Sequence, residues 1–79
     1  MKLLIATDGE PLRVIFEPAG TEVLLPVGKN IIVEFTGEEM GEIGHEPGCL
    51  LIWSGPDGNL RAWWSEGRKH VGEEILTYS

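Results

Sequence analysis

A chain of 79 residues has room for one small domain, and its net charge of −7 disfavours two classes of partner. Thirteen acidic against six basic residues repel phosphate groups, so we expect no nucleic acid and no anionic membrane surface as partners. With 42% apolar residues, eleven glycines and five prolines, the composition argues against disorder and favours short strands over helices. We predict a single domain over residues 1–79.

Cysteine content bears on the cellular compartment. Cys49 is the only cysteine, so an internal disulfide is excluded. Small secreted domains are usually cross-linked by disulfides, so this composition favours a reducing cytoplasm. The apolar run at residues 3–6 ends before Asp8 and is too short for the core of a signal peptide. These features predict a cytoplasmic protein.

In the first half of the chain, apolar residues recur in four strand-like segments. These segments are residues 3–7, 12–17, 21–27 and 31–36. In the third, Pro26 cannot donate a backbone hydrogen bond, so the strand ends there or lies at a sheet edge. Alternation with period two places every second side chain on the inner face of a sheet. Asp8-Gly9, after the first segment, is a typical hairpin turn and predicts that the first two strands pair.

Residues 37–48 interrupt the alternation with four glycines, one proline and no basic residue. We interpret this segment as a loop that contains a short edge strand at residues 41–45. The segment is strongly acidic, and its glutamates are Glu38, Glu39, Glu42 and Glu46.

Two strongly apolar runs, residues 49–53 and 60–64, flank a turn-forming segment at residues 54–59. Proline, aspartate and glycine in that segment suit a chain reversal, so the pattern predicts a hairpin. The hairpin holds all three tryptophans and should supply much of the core. Both faces of the first run are apolar, which predicts a central strand covered on both sides.

The last segment, residues 73–78, is compatible with either a strand or a short helix. Turn signals recur every eight to twelve residues, so we predict an all-β fold. Its form is a small antiparallel β-sandwich or barrel of six to eight short strands, joined mostly by hairpins. Alternate residues of a strand share one face, and the more apolar face of each segment should point inward. The core predicted in this way is Val14, Phe16, Val23, Leu25, Ile31, Val33, Phe35, Leu51, Trp53, Leu60, Ala62 and Trp64.

Residue types that carry chemistry are present but form no known motif. His45 and Cys49 are four residues apart with Pro47 and Gly48 between them, a spacing that matches no standard zinc site. The chain has no nucleophile elbow and no glycine-rich phosphate loop. We therefore predict no enzymatic activity, no bound metal and no cofactor.

Two surfaces are candidates for binding. In the first hypothesis the chain is an accessory or protein-interaction module whose acidic 37–48 loop meets a basic protein partner. In the alternative it is a small-molecule or carbohydrate-binding module that uses an exposed face formed by Arg61 and Trp63. The same face would also suit a homodimer, because aromatic residues and Arg are enriched in interface cores. In a third interpretation the termini or the 37–48 loop cover this face and bury Trp63.

Overall fold

A computed structural model describes residues 1–36, 40–55, 59–66 and 72–78 of the chain. Every regular element within these residues is a β-strand. The eight strands are β1 (Lys2–Ala6), β2 (Leu12–Glu17), β3 (Thr21–Leu25), β4 (Asn30–Thr36), β5 (Glu42–Glu46), β6 (Cys49–Trp53), β7 (Asn59–Ser65) and β8 (Glu74–Tyr78). The predicted all-β fold of six to eight short strands is confirmed.

The strands form two four-stranded sheets that pack face to face as a small β-sandwich. Sheet I has the order β1-β4-β7-β8, and sheet II has the order β3-β2-β6-β5. Neighbouring strands are antiparallel except β2 and β6, which run parallel. A parallel pair needs a long connection between its strands, and β3, β4 and β5 lie within that connection.

Three consecutive strand pairs among the described strands are hairpins, namely β2–β3, β5–β6 and β7–β8. The other four connections cross between the sheets, so hairpins are fewer than predicted. Two predicted hairpins are wrong: β1 pairs with β4 rather than β2, and β6 and β7 lie in different sheets. The segment between β6 and β7 is long enough to span the about 10 Å between packed sheets.

The core lies between the sheets and is built from alternate residues of their strands. Its buried cluster consists of Ile5, Val14, Phe16, Leu25, Ile31, Val33, Ile52, Leu60 and Ala62. Seven of the twelve predicted core residues belong to this cluster, and three more, Val23, Phe35 and Trp64, pack against it. Alternation therefore predicted the inward face correctly on most strands.

Strand β6 is the exception. Leu50 and Ile52 face the core, whereas Leu51 is half-buried and Trp53 is 37% exposed on the opposite face. Because all five residues of β6 are apolar, alternation does not indicate which face points inward. The strand lies between β2 and β5, as a central strand should. Its outer face is covered at Cys49, half-covered at Leu51 and open at Trp53, so the prediction that both faces are covered fails at Trp53.

Two uncertain segments are also strands. Residues 74–78 form β8, so the strand interpretation is correct and the short helix is not. A register shift opposite Ala62 and Trp63 allows both Ile75 and Leu76 to pack against the core. The predicted edge strand within residues 37–48 is β5, which Pro47 and Gly48 join to β6 in a tight turn. Gly48 has a φ of +73°, a conformation that glycine adopts without strain.

Candidate functional site on the outer face of sheet II

The outer face of sheet II is formed by the residues that alternate with the core-facing ones on its four strands. Cross-strand register aligns them in rows that run across β3, β2, β6 and β5. They are Arg13, Ile15, Glu17, Glu22, Leu24, Glu42, Gly44, Glu46, Cys49, Leu51 and Trp53. An apolar stripe therefore crosses this face beside several carboxylates.

Trp53 occupies the middle of one row. Glu17 of β2 is its register partner on one side, and Glu42 of β5 is its partner on the other. Adjacent strands are about 4.8 Å apart, so the two glutamate backbones are about 10 Å apart across the tryptophan. The most exposed tryptophan with a described side chain thus lies between two acidic residues.

A groove of about 340 Å³ opens at this row, lined by Glu17, Pro18, Glu42, Gly44, Leu51 and Trp53. Gly44 keeps the groove open because it places no side chain over its neighbour Leu51. A Cβ added at Gly44 would contact only the Cβ of Leu51, at 3.8 Å. The position therefore has room for a side chain, and glycine leaves that room vacant.

Four carboxylates and one guanidinium lie on this outer face, which gives it a net charge of −3. Arg13 pairs with Glu22: Nη2 donates to Oε1 at 2.7 Å and Nε donates to Oε2 at 3.2 Å. These hydrogen bonds, with the opposite charges, lower the pKa of Glu22 and raise the pKa of Arg13. Within the described ranges, no basic side chain pairs with Glu17, Glu42 or Glu46.

The acidic segment of the sequence contributes in part to this face. Glu42 and Glu46 lie on it, whereas Glu38 and Glu39 lie outside the described residues. Sequence reasoning missed Glu17 and Trp53 as site residues. Their proximity depends on the parallel pairing of β2 and β6, which no local pattern reveals. The signal available in the sequence was the continuous apolar run of β6. A strand that is apolar on both faces either has its second face covered by other residues or exposes apolar side chains there, and an exposed apolar face is a candidate binding surface.

Arg61 and Trp63 lie together on the outer face of sheet I, but Trp63 is only 3% exposed. The Arg61 guanidinium carbon is 5.3 Å from the centroid of the Trp63 ring, and Nη2 is 3.5 Å from Glu74 Oε1. Ile32, the register partner of Trp63, is also buried. The hypothesis of an exposed Trp63 is therefore wrong: the side chain is covered, as the third interpretation expects, and Arg61 lies over its ring. Homodimerisation stays a prediction, without an exposed tryptophan on this face.

His45 and Cys49 do not converge. His45 is exposed and pairs in register with Leu50, whereas Cys49 is buried on the outer face beside Glu46. The two side chains therefore lie on opposite faces of sheet II. Across the described parts of the chain, no group of three or more His, Cys, Asp or Glu is placed to hold a metal ion.

Comparison with known proteins adds no functional assignment. No protein-family model matches this chain, and no curated protein or solved structure is significantly similar to it. In the portion of the chain that the structure describes, no helix has the length and apolar character needed to cross a membrane.

Proposed function

We propose that this chain is a small non-enzymatic interaction module that binds a basic partner protein on the outer face of sheet II. The main support is the row in which exposed Trp53 lies between Glu17 and Glu42. Interfaces combine aromatic anchors at their centre with a polar rim, and this row has both features. A cytoplasmic location is part of the proposal.

Electrostatics favours a cationic partner. The outer face of sheet II carries a net charge of −3 within a chain of net charge −7, so both local and overall fields attract positive charge. At physiological ionic strength the reach of these charges is about 8 Å, so they act mainly on groups already near the face. Charge therefore accelerates and orients the encounter, and Trp53 with Leu51 supplies apolar contact area.

The proposal predicts binding of a simple basic peptide at this face. A fluorescein-labelled hexalysine peptide should bind the wild-type chain at low salt and more weakly at about 0.15 M salt. The double variant Glu17→Gln/Glu42→Gln should bind about fivefold more weakly, because exposed charge pairs contribute about 0.2–1 kcal/mol each. Fluorescence anisotropy titration measures both affinities.

A matched control separates this face from net charge. The double variant Glu10→Gln/Glu73→Gln also removes two negative charges, but from exposed positions outside the strands of sheet II. Its affinity should stay within about twofold of wild type, since distant exposed charges are largely screened. Equal losses in the two double variants, or no peptide binding at all, would contradict the proposal.

A further inference from the structure

The groove beside Trp53 is lined by two acidic residues and by no described basic residue. Glu17 and Glu42 line it together with the apolar residues Trp53, Leu51 and Pro18. Two carboxylates beside an exposed indole suit a cation, because opposite charge and the face of an aromatic ring both attract one.

The described part of the chain does not supply that cation. Of the six basic residues, four are described, and each is engaged elsewhere. The contacts are Lys2 with Glu34, Arg13 with Glu22, Lys29 over the Trp64 ring and Arg61 with both Glu74 and Trp63. None of these four side chains is therefore available to the groove, which leaves room for a cation from another molecule.

The outer face of sheet I combines a tryptophan and a glutamate with a cation of the same chain. On its outer face Arg61 lies over the ring of Trp63 and pairs with Glu74 on the neighbouring strand. On sheet II the same two partners, Trp53 and a glutamate on a neighbouring strand, are present, but the described arginine of that face, Arg13, pairs with Glu22 instead. A second glutamate, Glu17, lies on the opposite side of Trp53.

From this we infer that the groove at Trp53 receives the side chain of an arginine from the basic partner. The inference rests on the proposed function and names the residue that the partner inserts. Arginine suits the site better than lysine because its planar guanidinium stacks on an indole ring and directs several donors outward at once. Those donors can reach Glu42 on one side and Glu17 on the other, while the aliphatic stem packs against Leu51.

Two peptides of equal charge test this assignment. Hexaarginine should bind wild type about fivefold more tightly than hexalysine, which corresponds to one cation–π contact at a partly exposed site. Trp53→Leu removes the ring while keeping an apolar surface, and Gly44→Val fills the groove without changing any charge. In both variants the preference for arginine should fall to about twofold or less. Circular dichroism verifies that both variants remain folded.

The outcomes separate this inference from the proposed function. If both peptides bind and lose affinity in Glu17→Gln/Glu42→Gln, but the arginine preference survives in Trp53→Leu and Gly44→Val, the groove is not an arginine site. In that case the interaction module stands and the inference is overturned. If neither peptide binds, both fail.

Two other occupants are distinguished by the same variants. A neutral oligosaccharide that binds wild type and is lost in Trp53→Leu would overturn the arginine assignment. Sedimentation tests for a second copy of the chain: a dimer that Gly44→Val dissociates would assign the groove to self-association instead. A monomer at all concentrations, together with the arginine preference, supports the inference.

Discussion

On the outer face of sheet I, Trp63 is 3% exposed, Arg61 covers its ring, and Glu74 pairs with Arg61. On the outer face of sheet II, Trp53 is 37% exposed between Glu17 and Glu42. Both faces combine a tryptophan with carboxylates on neighbouring strands. They differ in that the tryptophan of sheet I is buried beneath an arginine of the same chain, whereas the tryptophan of sheet II is partly exposed to solvent.

This difference separates two uses of the same residue types. A covered tryptophan with a paired arginine contributes buried apolar area and holds β7 and β8 together, which is a contribution to stability. A partly exposed tryptophan between two glutamates contributes less to stability. Such a surface is typical of binding, because large exposed apolar groups with a polar rim mark interaction sites.

The largest expected effect contrasts the two tryptophans. Trp63→Ala should lower the free energy of unfolding by about 3–5 kcal/mol, since it removes a buried indole. Trp53→Ala should lower it by only about 2 kcal/mol, because more than a third of that side chain is already in water. Urea denaturation of both variants measures the contrast.

A small domain can lose its fold entirely when about 3–5 kcal/mol is removed. Trp63→Phe, which keeps most of the apolar area, provides a folded variant for the same comparison. The free energy of unfolding should still fall further in Trp63→Phe than in Trp53→Phe. Equal losses at the two positions would mean that the outer faces are equally covered, and the proposed difference between them would be wrong.

A second contrast uses the aliphatic neighbours. Ile32 is buried beside Trp63, and Leu51 is half-buried beside the Trp53 row. Ile32→Ala should cost about 2–4 kcal/mol, and Leu51→Ala should cost roughly half as much, because less apolar area leaves water at the partly exposed site. Chemical denaturation at constant pH and salt checks both values. A larger loss for Leu51→Ala would show that the outer face of sheet II is better packed than its exposure suggests.

How far the sequence predicts this molecule depends on which strand is considered. On β2 and β4, alternation with polar residues fixed the inward side, and Val14, Phe16, Ile31 and Val33 are buried as predicted. On β6 the same reasoning failed because every residue is apolar. The fold class therefore follows from local patterns, and the orientation of a wholly apolar strand does not.

The candidate site was harder to predict than the fold. The acidic segment was recognised, and Glu42 and Glu46 do lie on the outer face of sheet II. The partner of Glu42 across Trp53 is Glu17, which is more than 20 residues earlier in the chain. The order of strands in the sheet determines which sequence-distant residues become neighbours. The turn-forming residues at 54–59 predicted that β6 pairs with β7, but these two strands lie in different sheets. Cover over Trp63 likewise depends on tertiary packing.

A substitution at Gly44 should stabilise the domain, in contrast to the preceding variants. Gly44→Val should raise the free energy of unfolding by about 0.5–1 kcal/mol, because glycine is unfavourable within a strand and a β-branched residue is favourable. The added Cβ meets only Leu51, at an ordinary contact distance. Thermal and urea denaturation measure the gain. A variant that is more stable and yet loses arginine preference would show that glycine is kept there for binding; a destabilised variant would contradict the geometry of the groove.

The smallest expected effect concerns Arg13 and Glu22, the ion pair that the described residues form on the outer face of sheet II. Hydrogen bonds from Arg13 hold the pKa of Glu22 below its ordinary value of 4.5. Around that pH the unfolded chain binds more protons at this position than the folded chain, so the pair's contribution is complete above pH 4.5 and declines as pH falls through the lower folded pKa. Glu22→Gln should therefore be slightly less stable than wild type at neutral pH and equally stable at a pH below the folded pKa of Glu22, where both chains lack this charge. Urea denaturation at the two pH values, repeated at about 1 M salt to screen the pair, checks this expectation. A difference that persists unchanged at low pH would mean that Glu22 acts through packing rather than through its charge.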